Sequence, residues 1–362
     1  GTLIIFKSDK IPHEVLDTNA ERCAIVGWFL SSTGPNTSDL NGNEIIPQQS
    51  PSIPTKKDGI DEETLNSLRK LKDAVPSISQ KLKPAPPVSQ SGMIGFEDFN
   101  FPGFGTETKT ESANLPSFPD TDPLHWQKIC TFDESGKITT LSLGSMRLHR
   151  VAREVMLQPS LLNATTLDLA STDLPLPILC DVLGECPRVK QIHLGGNALG
   201  DNGVIALCQT PVLRHCRTID LRYNDIGADG AEALGRLLKM EDCCIEVLFL
   251  EGNMLGDVGV KAFEETHSLL ELYLGQNNIG KAGAESLAHG LETGRLKKLY
   301  LEGNCIGPEG ADSFRIVLER LGDEKHLEKL YVDNNGIGKD HAQALAKAVN
   351  SATVIGDGGL FQ

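Results

Sequence analysis

The amino-acid sequence predicts an α/β repeat solenoid over its C-terminal two thirds, preceded by a linker and a short β-rich piece. Three observations carry this prediction. A template, L-x-x-L-x-L-x-x-N-x-L, recurs from about residue 135 to 350, opening at Ile138, Ala164, Val189, Cys216, Ile245, Leu269, Leu296 and Leu327 with spacings of 24 to 31 residues. Its fourth and sixth positions are apolar in all eight units, and asparagine fills the ninth in six of them. Apolar stripes at helical spacing, such as Ala231, Leu234, Leu237 and Leu238, lie between the templates. One strand and one helix cannot hide their own apolar faces, so the units must stack.

The elements follow in chain order. Residues 1–30 are dense in β-formers, with Leu3-Ile4-Ile5-Phe6 and Ala24-Ile25-Val26-Gly27-Trp28-Phe29-Leu30. Gly1 stands inside what reads as a strand. Two strands alone bury too little, so the missing part of a larger protein is expected upstream. Residues 31–123 hold 12 of the 19 prolines and carry 8 basic against 13 acidic residues. That composition predicts a linker, largely disordered. Two islands interrupt it. Leu65, Leu68, Leu71 and Val75 at helical spacing, behind Asp61-Glu62-Glu63, predict a short helix over 61–75. Phe96, Phe99, Phe101 and Phe104 form either a docking peptide or a stretch that touches the neighbouring domain weakly.

Within each unit of 124–362, the x-L-x-L segment reads as a strand whose alternate residues face the helices and the open side. The asparagine can bond backbone groups of the following turn. A glycine at Gly203, Gly230, Gly259, Gly283 and Gly310 lets the returning helix approach closely. Met146 and Thr172 replace the asparagine in the first two units, which read as degenerate or capping repeats. The pattern resembles the leucine-rich repeat family, specifically its ribonuclease-inhibitor-like class. The resemblance implies a horseshoe of about eight units, with parallel strands inside and helices outside.

On such a horseshoe the residue between the two strand leucines points to the concave side. In order these are Ser142, Asp168, His193, Asp220, Phe249, Tyr273, Tyr300 and Tyr331. Aromatic anchors among charges mark a protein-binding patch. The predicted partner site comprises Arg222, Tyr223, Phe249, Glu251, Tyr273, Tyr300, Glu302, Tyr331 and Asp333. The competing reading is that tyrosine merely suits strands. His193 shows no convergent partners in the sequence and reads as structural.

Lys+Arg is 34 against 49 for Asp+Glu, a net charge of −15. Nucleic-acid binding needs a clustered positive surface, so no nucleic-acid partner is expected. No apolar run approaches the length of a membrane helix, about 18 residues. Nine cysteines without a C-x-x-C pair read as reduced thiols of an intracellular protein, cytoplasmic or nuclear. No G-x-x-x-x-G-K-[ST] loop occurs.

The first thirty residues carry a different signal. An apolar strand before Ser8-Asp9, the run Pro12-His13-Glu14-Val15, Arg22 nine residues after the histidine, and a strand reaching Trp28 stand in sequence. Together they resemble the end of an Fe(II)/2-oxoglutarate-dependent dioxygenase, closest to the prolyl hydroxylases of the hypoxia-sensing type. The resemblance implies a truncated piece of a double-stranded β-helix, with His13 as an iron ligand and Arg22 clamping the distal carboxylate of 2-oxoglutarate. Imidazole suits Fe(II), and a guanidinium fork matches a carboxylate. The His-x-Asp/Glu pair of that family is expected upstream of His13; His125 and His149 do not supply one, because Gln127 and Val151 stand two residues after them. An intact parent would use Fe(II), 2-oxoglutarate and ascorbate to hydroxylate a protein recruited by the repeats. This chain alone is expected to be inactive and to bind none of the three tightly. The alternative is a non-enzymatic interaction scaffold, of ribonuclease-inhibitor-like or GTPase-activating type.

Overall fold

The computed structural model describes residues 59–83, 120–324 and 326–349, and the backbone of two further strands, Thr353–Gly356 and Gly359–Phe361. Residues 1–30, with His13, Arg22 and the expected β-helix piece, lie outside the described residues, as does the island at 96–104.

The described strands are β1 (Cys130–Phe132), β2 (Ile138–Ser142), β3 (Thr166–Asp168), β4 (Gln191–His193), β5 (Thr218–Asp220) and β6 (Val247–Phe249). They continue as β7 (Glu271–Tyr273), β8 (Lys298–Tyr300), β9 (Lys329–Tyr331), β10 (Thr353–Gly356) and β11 (Gly359–Phe361). They form one sheet in strict chain order. β2 through β10 run parallel, and β1 and β11 close the two ends antiparallel. The register aligns the fourth template position of every unit: Leu141, Leu167, Ile192, Ile219, Leu248, Leu272, Leu299 and Leu330 pair in one row. All eight are buried under the helix layer. Strands repeat about every 4.8 Å, whereas packed helices need about 8–10 Å. The stack therefore curves with the strands on the inside.

The asparagines join units to one another. Asn253 Nδ2 donates to Leu250 O at 2.8 Å in its own unit and to Leu221 O at 3.1 Å in the unit before. Its Oδ1 accepts from Asn224 N and Ile226 N, both at 3.0 Å. Asn304 repeats the pattern with Leu301 O, Leu274 O, Asn277 N and Ile279 N. The expectation of a bond within one turn thus covers half of the arrangement; the other half is a bridge between repeats. Thr172 does part of the same work: its hydroxyl donates to Leu169 O at 2.9 Å, and its amide donates to Asn197 Oδ1. Close helix approach is visible at Gly283, where a Cβ would stand 2.7 Å from both Asp257 Oδ1 and Ile279 Cγ2.

The first repeat is covered by part of the predicted linker. Glu62–Ala74 forms helix α1, capped by Asp61, whose carboxylate accepts from Thr64 N at 3.0 Å; Pro76–Leu82 forms α2. α1 packs on the short helices Arg153–Met156 and Pro159–Leu162. Leu68, Leu71 and Ile78 are fully buried there. Arg69 Nε bonds Asp120 at 2.7 Å, and Trp126 Nε1 donates to the Asp120 carbonyl at 2.7 Å. Low overall hydrophobicity suggested a linker, but the local leucine stripe found an apolar end to cover.

The eight cysteines among the described residues are thiols. Burial pushes Cys130, Cys186, Cys208 and Cys216 up to about 12, so these four are inert packing groups.

Candidate protein-binding face

The fifth template position places Phe249, Tyr273, Tyr300 and Tyr331 as register partners on β6 to β9. Strand spacing then brings their rings within stacking reach. Ring centroids are 4.3, 4.0 and 4.4 Å apart along the series, with planes 27°, 7° and 6° from parallel. Each inner ring has both faces covered by neighbours, which leaves only ring edges uncovered by the stack.

The ladder continues as charge at the β5 end. The Arg222 guanidinium lies over Phe249, 5.2 Å from the ring centroid. Asp220 holds it there, with Arg222 Nε to Oδ1 at 2.9 Å and Nη2 to Oδ2 at 2.7 Å. His193 Nδ1 stands 3.5 Å from Asp220 Oδ2. Burial would raise the Asp220 carboxyl, but hydrogen bonds from His193 and Arg222 outweigh it and hold the group well below the usual carboxylate range. His193 therefore has a partner that the sequence reading did not identify.

The two borders of the ladder differ. On the third-position side, Tyr273 Oη donates to Glu271 Oε2 at 2.9 Å and Lys298 Nζ bonds Glu271 Oε1 at 2.7 Å. On the seventh-position side stand Glu251, Glu302 and Asp333. Burial pushes the Glu251 and Glu302 carboxyls above the ordinary range, and Asp333 adds repulsion at Glu302. Burial also raises Tyr273 and Tyr300.

The structure thus gathers eight of the nine predicted partner residues into one band: Arg222, Phe249, Tyr273, Tyr300 and Tyr331 in the stack, with Glu251, Glu302 and Asp333 along one border. Tyr223 stands apart on the turn after β5. It is 59% exposed with φ of 54°, and its ring covers Gly252, where a Cβ would stand 2.2 Å from Tyr223 Cδ1. Asp220, Glu271 and Lys298 belong to the band but were not among the predicted residues. Opposite charges at the third position of successive units, Glu271 and then Lys298, were the available signal for those two.

Among the described residues, no group of three or more His, Cys, Asp or Glu side chains is placed to hold a metal ion. No described helix is long and apolar enough to cross a membrane.

Comparison with known proteins bears on the repeats. The family described as Leucine Rich repeat matches residues 185–208, 213–235, 266–288 and 296–314. The chain is similar to the ribonuclease inhibitor of Sus scrofa, 28% identical over 189 residues, which cover 42% of this chain and 41% of the pig protein. It is 38% identical over 95 residues to the ribonuclease inhibitor of Mus musculus, covering 26% of this chain and 20% of the mouse protein. The alignments thus span less than half of either relative. A similar solved structure is the leucine-rich repeat-containing protein LegL7 of Legionella pneumophila, at 18% identity and a TM-score of 0.38, covering 62% of this chain and 86% of that one. The repeat sequence, the parallel sheet in chain order, the family match and the two ribonuclease inhibitors agree that the chain carries leucine-rich repeats similar to those of the ribonuclease inhibitors.

Proposed function

We propose that the chain is a protein-interaction scaffold whose partner seats on the concave face along the band from Arg222 to Tyr331. The observation that carries this is the aromatic ladder. Four half-buried rings lie in one continuous stack on the strands β6 to β9. Rigid aromatics lose little side-chain entropy on binding and dominate interface energetics. The thiol-rich composition fits an intracellular setting. Partner recovery from a cell lysate by the parent chain and by the Tyr273→Ala/Tyr300→Ala/Tyr331→Ala variant tests the reading, with circular dichroism confirming that the variant is folded. A folded variant that recovers the same partner in the same amount removes the proposal.

A second reading rests on the Pro12-His13-Glu14-Val15 run and Arg22. In it the repeats recruit a protein to a dioxygenase whose iron and 2-oxoglutarate pocket includes His13 and Arg22. An in-frame His-x-Asp upstream of His13 supports it; unrelated sequence or a stop codon there removes it.

A further inference from the structure

The strand-entry edge of the sheet carries an unneutralised basic block at the third and fourth units. Period-two alternation continues upstream of β4 and β5. Val189 and Cys216 are buried, so the residues on either side of them turn outward: Arg188, Lys190, His215 and Arg217 are all exposed. Arg217 N donates to Lys190 O at 2.7 Å, which sets the two units side by side. Adjacent strands lie about 4.8 Å apart, and alternate residues of one strand about 7 Å apart, so the four side chains root on a patch of about that size. Lys190 Nζ donates to His215 O at 3.3 Å, which draws the ammonium across the unit boundary.

Elsewhere on this edge the cations are answered. Arg214 pairs with Asp242 at 3.1 Å, Lys297 with Glu328 at 3.2 Å and Lys298 with Glu271 at 2.7 Å. Among the described residues, Arg188, Lys190 and Arg217 have no ion-pair partner, although the chain carries a net charge of −15. Uncovered like charges at this spacing repel one another, and an anionic group laid across them relieves the repulsion. Glu246, whose amide donates to Arg217 O at 2.9 Å, stands next in the row. It ends the block on the β6 side, so the block fits a short acidic stretch rather than a long polyanion. The block also adjoins the aromatic band. Arg217 leads directly into β5, where Asp220 holds Arg222 over Phe249.

We infer that Arg188, Lys190 and Arg217 receive a short acidic segment, of aspartate or glutamate side chains, on the protein partner that seats along the aromatic band. The inference rests on the reading of the concave face as protein-binding and names the chemistry that the partner presents at its edge. The two guanidinium forks suit carboxylates, and the lysine adds a point charge beside them. A charged contact at one end of the band also fixes the partner's direction along the ladder.

The probe is a fluorescent hexa-glutamate peptide, with hexaglutamine as its neutral counterpart, and anisotropy is read on the full chain. The chain as a whole repels anions, so binding reports a local site. Hexa-glutamate binds and hexaglutamine does not. Arg188→Gln/Lys190→Gln/Arg217→Gln, changed at exposed positions, weakens hexa-glutamate binding about tenfold or more. Arg236→Gln/Lys239→Gln/Lys261→Gln, the same charge change at exposed positions of the helix layer, leaves it within about twofold, because solvent and salt screen distant charges. The inference is overturned if the parent chain does not bind hexa-glutamate, if the first variant binds as the parent does, or if the second loses as much. It is also overturned if hexauridylate binds through the same three side chains more tightly than hexa-glutamate. Lysate recovery separates this from the reading of the face. A partner lost by the triple tyrosine variant but kept by the variant lacking the three cations leaves the face and removes the block. A partner lost without the cations but kept by the triple tyrosine variant keeps the block and removes the ladder as the anchor.

Discussion

Tyr273 and Tyr300 stand on adjacent parallel strands with ring centroids 4.0 Å apart and planes 7° from parallel. Twenty-seven residues separate them in the chain, and the sheet register alone brings them together. The pair is both a contact surface and a structural element, because each ring also stacks on a further neighbour.

Tyr300→Ala removes two stacked contacts and should cost about 2–3 kcal/mol in urea unfolding, since each aromatic pair adds about 0.5–1.5 kcal/mol beyond buried area. Tyr300→Phe keeps the stack and should stay within about 0.5 kcal/mol of the parent. Equal destabilisation by the two would show that the hydroxyl, not the stack, matters.

Asn253→Ala leaves Asn224 N, Ile226 N and the Leu221 carbonyl short of a partner in a buried place, whereas the Leu250 carbonyl keeps Asn277 Nδ2. A loss of about 3 kcal/mol or more is expected, as each buried unsatisfied group costs about 1–3 kcal/mol. Asn197→Thr should cost less, because Thr172 already fills the equivalent position next to the terminal units. Chemical denaturation of both variants checks the order.

Leu71 is fully buried in the N-terminal cap. Leu71→Ala should cost about 2–5 kcal/mol of cap docking. Hydrogen exchange should then report faster opening of residues 59–83 than of the central strands. A uniform loss of protection along the whole solenoid would contradict a cap that opens on its own.

Stability should depend on pH in two opposite ways. Asp220 is held below its ordinary 3.8, so its contribution is full above that value and fades as pH falls. Asp220→Asn should lower stability at pH 7, with a deficit that shrinks in acid. Glu251 and Glu302 lie above their ordinary 4.5, so ionising them weakens the fold as pH rises through the folded values. Glu251→Gln/Glu302→Gln should raise Tm at pH 7 by about 2 °C and give no gain at about pH 4. Thermal scans across pH 3–8 test both signs. A gain that persists in acid would locate the effect outside these carboxyls.

The repeat template was enough to predict the strand of each unit, the helix layer and the side of the sheet on which the aromatics stand, because period-two alternation and helical spacing are local properties of a chain. His13 and Arg22 remain a resemblance in sequence. The sequence placed Leu68 and Leu71 on a helix but not on the end of the solenoid, since nothing local says which apolar surface a stripe will cover. Likewise it named Phe249, Tyr273, Tyr300 and Tyr331 as residues of one side without joining their rings. Which side chains touch across units depends on register between segments 24 to 31 residues apart. Parallel pairing at one fixed strand spacing decided that, turning four separate aromatic residues into a ladder.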